Sequence, residues 1–103
     1  MYILCVTACP AGVAHTYMAA ANLKKAAEKL GVEVKVETQG AGGAEDVIND
    51  EDIRKADGVI VAADIAIADE ERFDDLPVLE CSLSEAIKSS EEIIKELMEG
   101  VEA

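Results

Sequence analysis

Two nearly unbroken apolar runs, Tyr2-Ile3-Leu4-Cys5-Val6-Thr7 and Val59-Ile60-Val61-Ala62-Ala63, constrain this chain more than any other feature. A strand whose two alternating sets of side chains are both apolar must be covered on both faces, as in a parallel sheet packed between helices. After the first run, Ala19, Leu23, Ala26, Ala27 and Leu30 recur at helical spacing, with Lys24, Lys25, Glu28 and Lys29 on the other face. The pattern predicts an amphipathic helix from about Thr16 to Leu30, stopped by Gly31. Val32 to Thr38 then alternates strictly, which predicts a half-exposed edge strand. A right-handed crossover through the helix makes these two strands parallel.

The remaining elements are shorter. Gln39 to Gly43 reads as a loop, and its Gly40-Ala41-Gly42-Gly43 lacks the spacing of a nucleotide-binding motif. Asn49 or Asp50 can cap a short helix ending near Lys55. Asp64 to Asp75 is an acidic connector, expected to be irregular and solvated with one helical turn. Leu76 to Leu79 predicts a fourth strand, placed at an edge by Pro77. Ser82 and Glu85, then Ser89 and Glu92, have capping-box spacing. They predict a helix, a break, and a last helix that buries Ile93, Ile94, Leu97 and Met98 and stops at Gly100. The expected architecture is α/β: one domain over residues 1–103 with an open four-stranded parallel sheet in the order 2-1-3-4. Helices cover both faces, as in Rossmann or flavodoxin-like folds.

Composition excludes several function classes. The chain has 22 acidic and 9 basic residues and a net charge of −13, which disfavours nucleic acid and anionic lipid as partners. The longest uncharged stretch, Met1 to Leu23, is broken by Pro10, Gly12, His15 and Asn22, so neither a membrane span nor a signal peptide is expected. Cys5, Cys9 and Cys81 show no C-x-x-C spacing, which argues against a disulfide framework or structural zinc. No metal or cofactor is expected. Cys5, inside the first strand, reads as packing, and Cys81 as structural.

Cys9 differs from both because Cys9-Pro10-Ala11-Gly12-Val13-Ala14-His15-Thr16 joins the first strand to the first helix. Backbone N–H groups and the positive end of the helix dipole converge at such a junction and favour anions, a thiolate among them. In the order 2-1-3-4 the ligand crevice also lies at the carboxyl ends of the first and third strands. The loop has the cysteine-to-hydroxyl spacing of Cys-x5-Arg-Ser/Thr phosphatases, but His15 stands at the arginine position and no Lys or Arg precedes Lys24. An arginine fork that stabilises the phosphoryl oxygens is therefore missing, as is an evident acid to protonate a leaving alcohol. Such a loop should hydrolyse poorly and can instead accept a phosphoryl group and pass it on. His15 can contact that group, tune the thiolate or order the loop. Thr16 reads as a helix cap that can also meet phosphate, and Gly12 as a point of close backbone approach.

Cys9 to Thr16 with Tyr17-Met18-Ala19-Ala20-Ala21 resembles the IIB domain of fructose-type sugar phosphotransferase systems. The resemblance extends through Val36 to Gly40, Glu51-Asp52-Ile53, Val59 to Asp64, Glu71-Arg72-Phe73 and Pro77-Val78, covering about residues 2 to 98. It implies a protein-phosphocysteine–sugar phosphotransferase. Cys9 would take phosphate from a phosphohistidine on IIA and give it to a sugar, by default fructose, carried by membrane IIC. Pro10, Ala11, Gly12, Val13, Ala14, His15 and Thr16 would form the phosphate loop. The implied location is the cytoplasm, at the inner membrane face through IIC. Ala11 departs from a position often held by threonine, and the connector from Ile65 to Glu70 is unusually acidic. The competing readings are a low-molecular-weight-type phosphatase and a non-catalytic regulatory module.

Overall fold

The two apolar runs become the two central strands. The computed structural model describes residues 1–9, 14–40 and 43–102. In chain order these form β1 (Tyr2–Ala8), α1 (Ala14–Leu30), β2 (Glu33–Gly40), β3 (Gly43–Glu45), α2 (Asp50–Lys55) and β4 (Gly58–Ala63). A 3-10 turn over Glu70–Phe73 follows, then β5 (Val78–Cys81), α3 (Leu83–Lys88) and α4 (Ser90–Glu102). The sheet order is β3-β2-β1-β4-β5, and all neighbouring pairs are parallel except β2 with β3.

The four expected strands occur in the expected order, with one strand added. Thr38 pairs with Glu45, Gln39 with Ala44 and Gly40 with Gly43, so the chain folds back as a short antiparallel hairpin outside β2. The expected four-stranded sheet is thus five-stranded, and β2 is no edge. Its Val36, Glu37 and Thr38 are all buried. Strict alternation suggested solvent on one face of β2, but Arg72 from the connector covers Glu37 there.

Alternation divides the core cleanly. Ile3, Cys5, Val36, Ile60 and Ala62 face α1, α3 and α4, joining Leu23, Ala27, Ala86, Ile94 and Leu97. Leu4, Val6, Ala8, Val59 and Val61 face the other way, against Ile48, Ile67 and Phe73. Each large aliphatic side chain removed from water contributes about 1.5–3 kcal/mol, and this holds both layers on the sheet. The connector is therefore not wholly solvated: its acids are exposed, while Ile67 and Phe73 are core residues.

Local signals set most boundaries. Gly31, at φ +73°, ends α1 with Gly31 N–H donating to Glu28 C=O and Val32 N–H to Ala27 C=O, a Schellman pair. Asn49 with Asp52 and Ser82 with Glu85 form reciprocal capping boxes. Two boundaries differ from expectation. Helix α1 already includes Ala14 and His15, so Thr16 stands within its first turn. Helix α4 continues through Gly100 to Glu102, because one glycine near a helix end costs less than the continued packing of the turn supplies.

The amino-terminal edge of the sheet is closed by polar side chains. Asp52 accepts hydrogen bonds from Lys35 Nζ at 2.6 Å and from the Tyr2 hydroxyl at 2.9 Å. The Lys35 contact is the main reason the Asp52 carboxyl is held down at about 2. Burial, then the bond to Asp52, pushes the Tyr2 phenol up to about 12. Among the described residues no helix is long and apolar enough to cross a membrane.

Candidate phosphoryl-transfer site

Cys9 follows β1 directly, at the point where the chain order reverses: β2 lies on one side of β1 and β4 on the other. This is the crevice position of an open α/β sheet. Cys9 is 8% exposed and belongs to the apolar cluster on the α1 side. The buried Thr7 hydroxyl donates to the Thr16 carbonyl at 3.3 Å, tying the end of β1 to the first turn of α1. Both ends of the intervening loop are thereby anchored. Pro10, Ala11, Gly12 and Val13 lie outside the described residues. Ala14 and His15 are exposed at the start of α1, and Thr16 is buried. Cys9, Ala14, His15 and Thr16 thus share the carboxyl edge of the sheet.

A cleft of about 90 Å³ lies beside this edge, lined by Thr16, Tyr17, Thr38, Gln39, Gly40, Gly43 and Glu45. The Tyr17 hydroxyl donates to the Glu45 carboxylate at 2.7 Å, bridging α1 to the β2–β3 hairpin. That bond is the main cause of the raised Tyr17 phenol pKa. On the other side of β1, Ala8 pairs with Ala63, and Asp64 N–H donates to Ala8 C=O at 3.3 Å. The Asp64 carboxylate accepts from Leu83 N–H at 3.3 Å.

Behind the crevice, on the face opposite Cys9, lies a buried ion pair. Glu37 is 1% exposed and takes a two-pronged bond from Arg72, Nη1 to Oε1 at 2.9 Å and Nη2 to Oε2 at 2.7 Å. Ile48 N–H donates to Oε1 at 2.8 Å, and the Gln39 amide to Oε2 at 2.6 Å. Burial alone would raise this carboxyl, but the bonds from Arg72, Gln39 and Ile48 outweigh it and the net shift is downward. Gln39 also accepts from Ala68 N–H at 3.0 Å, so the network fastens the connector to β2 beside the cleft. The guanidinium lies 4.6 Å from the centre of the Phe73 ring, an additional favourable contact.

The arginines decide what this edge can do. The chain has two, Arg54 and Arg72. Arg72 is committed to Glu37, and Arg54 belongs to α2, which leads into β4 at the amino edge where Asp57 N–H donates to Tyr2 C=O. Neither provides the guanidinium fork of a cysteine phosphatase at Cys9. The other thiols are unsuited to attack at neutral pH. Burial pushes Cys5 strongly up, and burial, with Glu85 and Glu96, pushes Cys81 up to about 11. Among the described residues no group of three or more His, Cys, Asp or Glu could hold a metal ion.

A family model described as PTS system, lactose/cellobiose-specific IIB subunit, matches residues 4–96 of the chain. The chain belongs to the PTS IIB family. Its function is accordingly that of a IIB phosphotransferase, phosphoryl transfer in sugar uptake. The fructose-like EIIB component 2 of Escherichia coli K12 is 48% identical over 95 residues, covering 92% of this chain and 90% of its own length. The 2-O-alpha-mannosyl-D-glycerate-specific EIIABC component of the same organism is 48% identical over 96 residues. There the match covers 93% of this chain and 15% of the relative, so the chain spans a small part of that longer protein. A crystal structure of a domain from the fructose-specific IIABC component of Borrelia burgdorferi superposes with a TM-score of 0.90 at 46% identity. It covers 95% of this chain and 93% of that domain.

Several residues of this IIB edge carried a sequence signal that assigned them no role. Glu37, Gln39, Asp64 and Arg72 all lie in segments that carry the family resemblance. Thr7 was visible only as a hydroxyl in an apolar strand.

Proposed function

We propose that Cys9 is the phosphoryl acceptor of this IIB unit, and that residues 1–103 act as one phosphocarrier domain. Its thiolate attacks the phosphorus of a phosphohistidine on a IIA protein. The S–P bond forms as the N–P bond breaks, and the imidazole nitrogen leaves with that electron pair. In the second step a sugar hydroxyl held by membrane IIC forms an O–P bond, sulfur departs as thiolate, and the hydroxyl proton goes to solvent. Pro10 to Thr16 cradle the group, with loop amides and the start of α1 as donors. The sugar is of the fructose type, because several relatives are fructose-like or fructose-specific components. The site of action is the cytoplasmic membrane face where IIC presents its sugar.

One observation carries this reading: Cys9 lies at the strand-order reversal, and neither arginine of the chain serves that edge. Phosphate held without a guanidinium fork is poorly set up for hydrolysis, and a neutral amide cradle suits a group in transit. The test is incubation with phosphorylated IIA followed by peptide mass spectrometry. Phosphate is expected on Cys9, stable in alkali and released by iodine. Transfer to sugar that persists in Cys9→Ser refutes the reading, and steady turnover of an aryl phosphate by the isolated chain would favour a phosphatase.

A further inference from the structure

The carboxylate of Asp64 lies on Cys9's side of the sheet. Ala8 and Ala63, the last paired residues of β1 and β4, both pack on the Phe73 side. Side chains alternate along strands, and Asp64 N–H continues the ladder by donating to Ala8 C=O. Cys9 and Asp64 are therefore adjacent residues, one strand apart, that turn to the opposite face. Two observations agree with this placement. Cys9 packs in the cluster that contains Leu83, and Asp64 Oδ1 accepts from Leu83 N–H at 3.3 Å. Neighbouring strands are about 4.8 Å apart, so Cys9 and the exposed Asp64 follow directly on the paired ends of adjacent strands.

We propose that Asp64 sets the transfer potential of the phosphocysteine: its fixed negative charge beside Cys9 repels the phosphoryl group and keeps it ready to leave. The inference rests on the reading of Cys9 given above. A phosphoryl monoester carries about −1.5 to −2 charges at neutral pH, so the repulsion acts on the phosphorylated state far more than on the free thiol. Because the carboxylate is exposed and screened as in water, the repulsion corresponds to about a tenfold change in an equilibrium constant, diminished by salt. Asp64 is thus a positioning residue with two separable effects, the hydrogen bond that holds the start of α3 and the charge.

Asp64→Asn separates them, because the amide oxygen can still accept from Leu83 N–H while the charge is gone. The equilibrium between the phosphohistidine donor and each IIB variant is measured by intact-protein mass spectrometry at low and high salt. The expected result is a shift of about tenfold toward phospho-IIB in Asp64→Asn, shrinking as salt rises. Asp64→Ala should shift the same way and also melt earlier. Phosphate on Cys9 with an equilibrium constant within twofold of wild type, or a shift toward the donor, overturns the inference alone. Absence of phosphate on Cys9 in the wild type overturns the reading of Cys9, and this inference with it.

Discussion

Replacing Arg72 with methionine leaves Glu37 as a buried carboxylate without its cation. Removing one partner of a buried ion pair costs about 3–5 kcal/mol. Glu37 keeps the Gln39 amide and the Ile48 N–H, so the lower end applies, about 3 kcal/mol at pH 7. Small domains have about 5–15 kcal/mol in total, so the variant should fold with a sharply reduced margin. At about 4–8 °C per kcal/mol the melting temperature should fall by roughly 12–24 °C. The pH dependence supplies the sign. In the wild type the folded Glu37 carboxyl is held down, so its contribution is full above the unfolded value of about 4.3 and is lost as pH falls through the folded one. Without Arg72, burial dominates and raises the folded carboxyl, so the penalty is full at pH 7 and shrinks as that carboxyl takes a proton. Urea denaturation followed by circular dichroism at pH 7 and pH 5 measures both effects. Adding Glu37→Gln should give a double variant that loses about 2 kcal/mol less than the sum of the single losses. A loss below about 1 kcal/mol at pH 7, or one equally large at pH 5, refutes this account of the pair.

Tyr2 should ionise near pH 12 in a spectrophotometric titration, and Tyr2→Phe should remove that step. Because the folded phenol is raised, its contribution to stability is present below pH of about 10 and is lost as pH rises through the folded value. Gly31→Ala should lower stability by about 1 kcal/mol, since its φ of +73° suits few L side chains. Gly100→Ala, in the last turn of α4 with open space around it, should raise stability by up to about 1 kcal/mol, and thermal melts of the two variants should move in opposite directions.

Features written in local periodicity were legible without coordinates. The apolar runs at Ile3 and Ile60 required cover on both faces, the heptad-like spacing from Ala19 to Leu30 required a helix between strands, and Gly31 required a stop. These patterns reflect a few residues acting on their own backbone, so they place the order 2-1-3-4 and bring Cys9 to its crevice. The loop from Cys9 to Thr16 likewise carried its family in consecutive residues. What the tertiary structure alone decided is who meets whom across the sheet. Alternation in β2 could not reveal that Glu37 is buried, because its cover comes from Arg72, 35 residues away. Nor could it reveal the β3 hairpin, whose few paired residues carry too little pattern to read. Asp64 looked like one acid among many in an acidic connector. Only the parallel pairing of β1 with β4 makes it the neighbour of Cys9, because burial and strand pairing select partners over distances that local propensity does not encode.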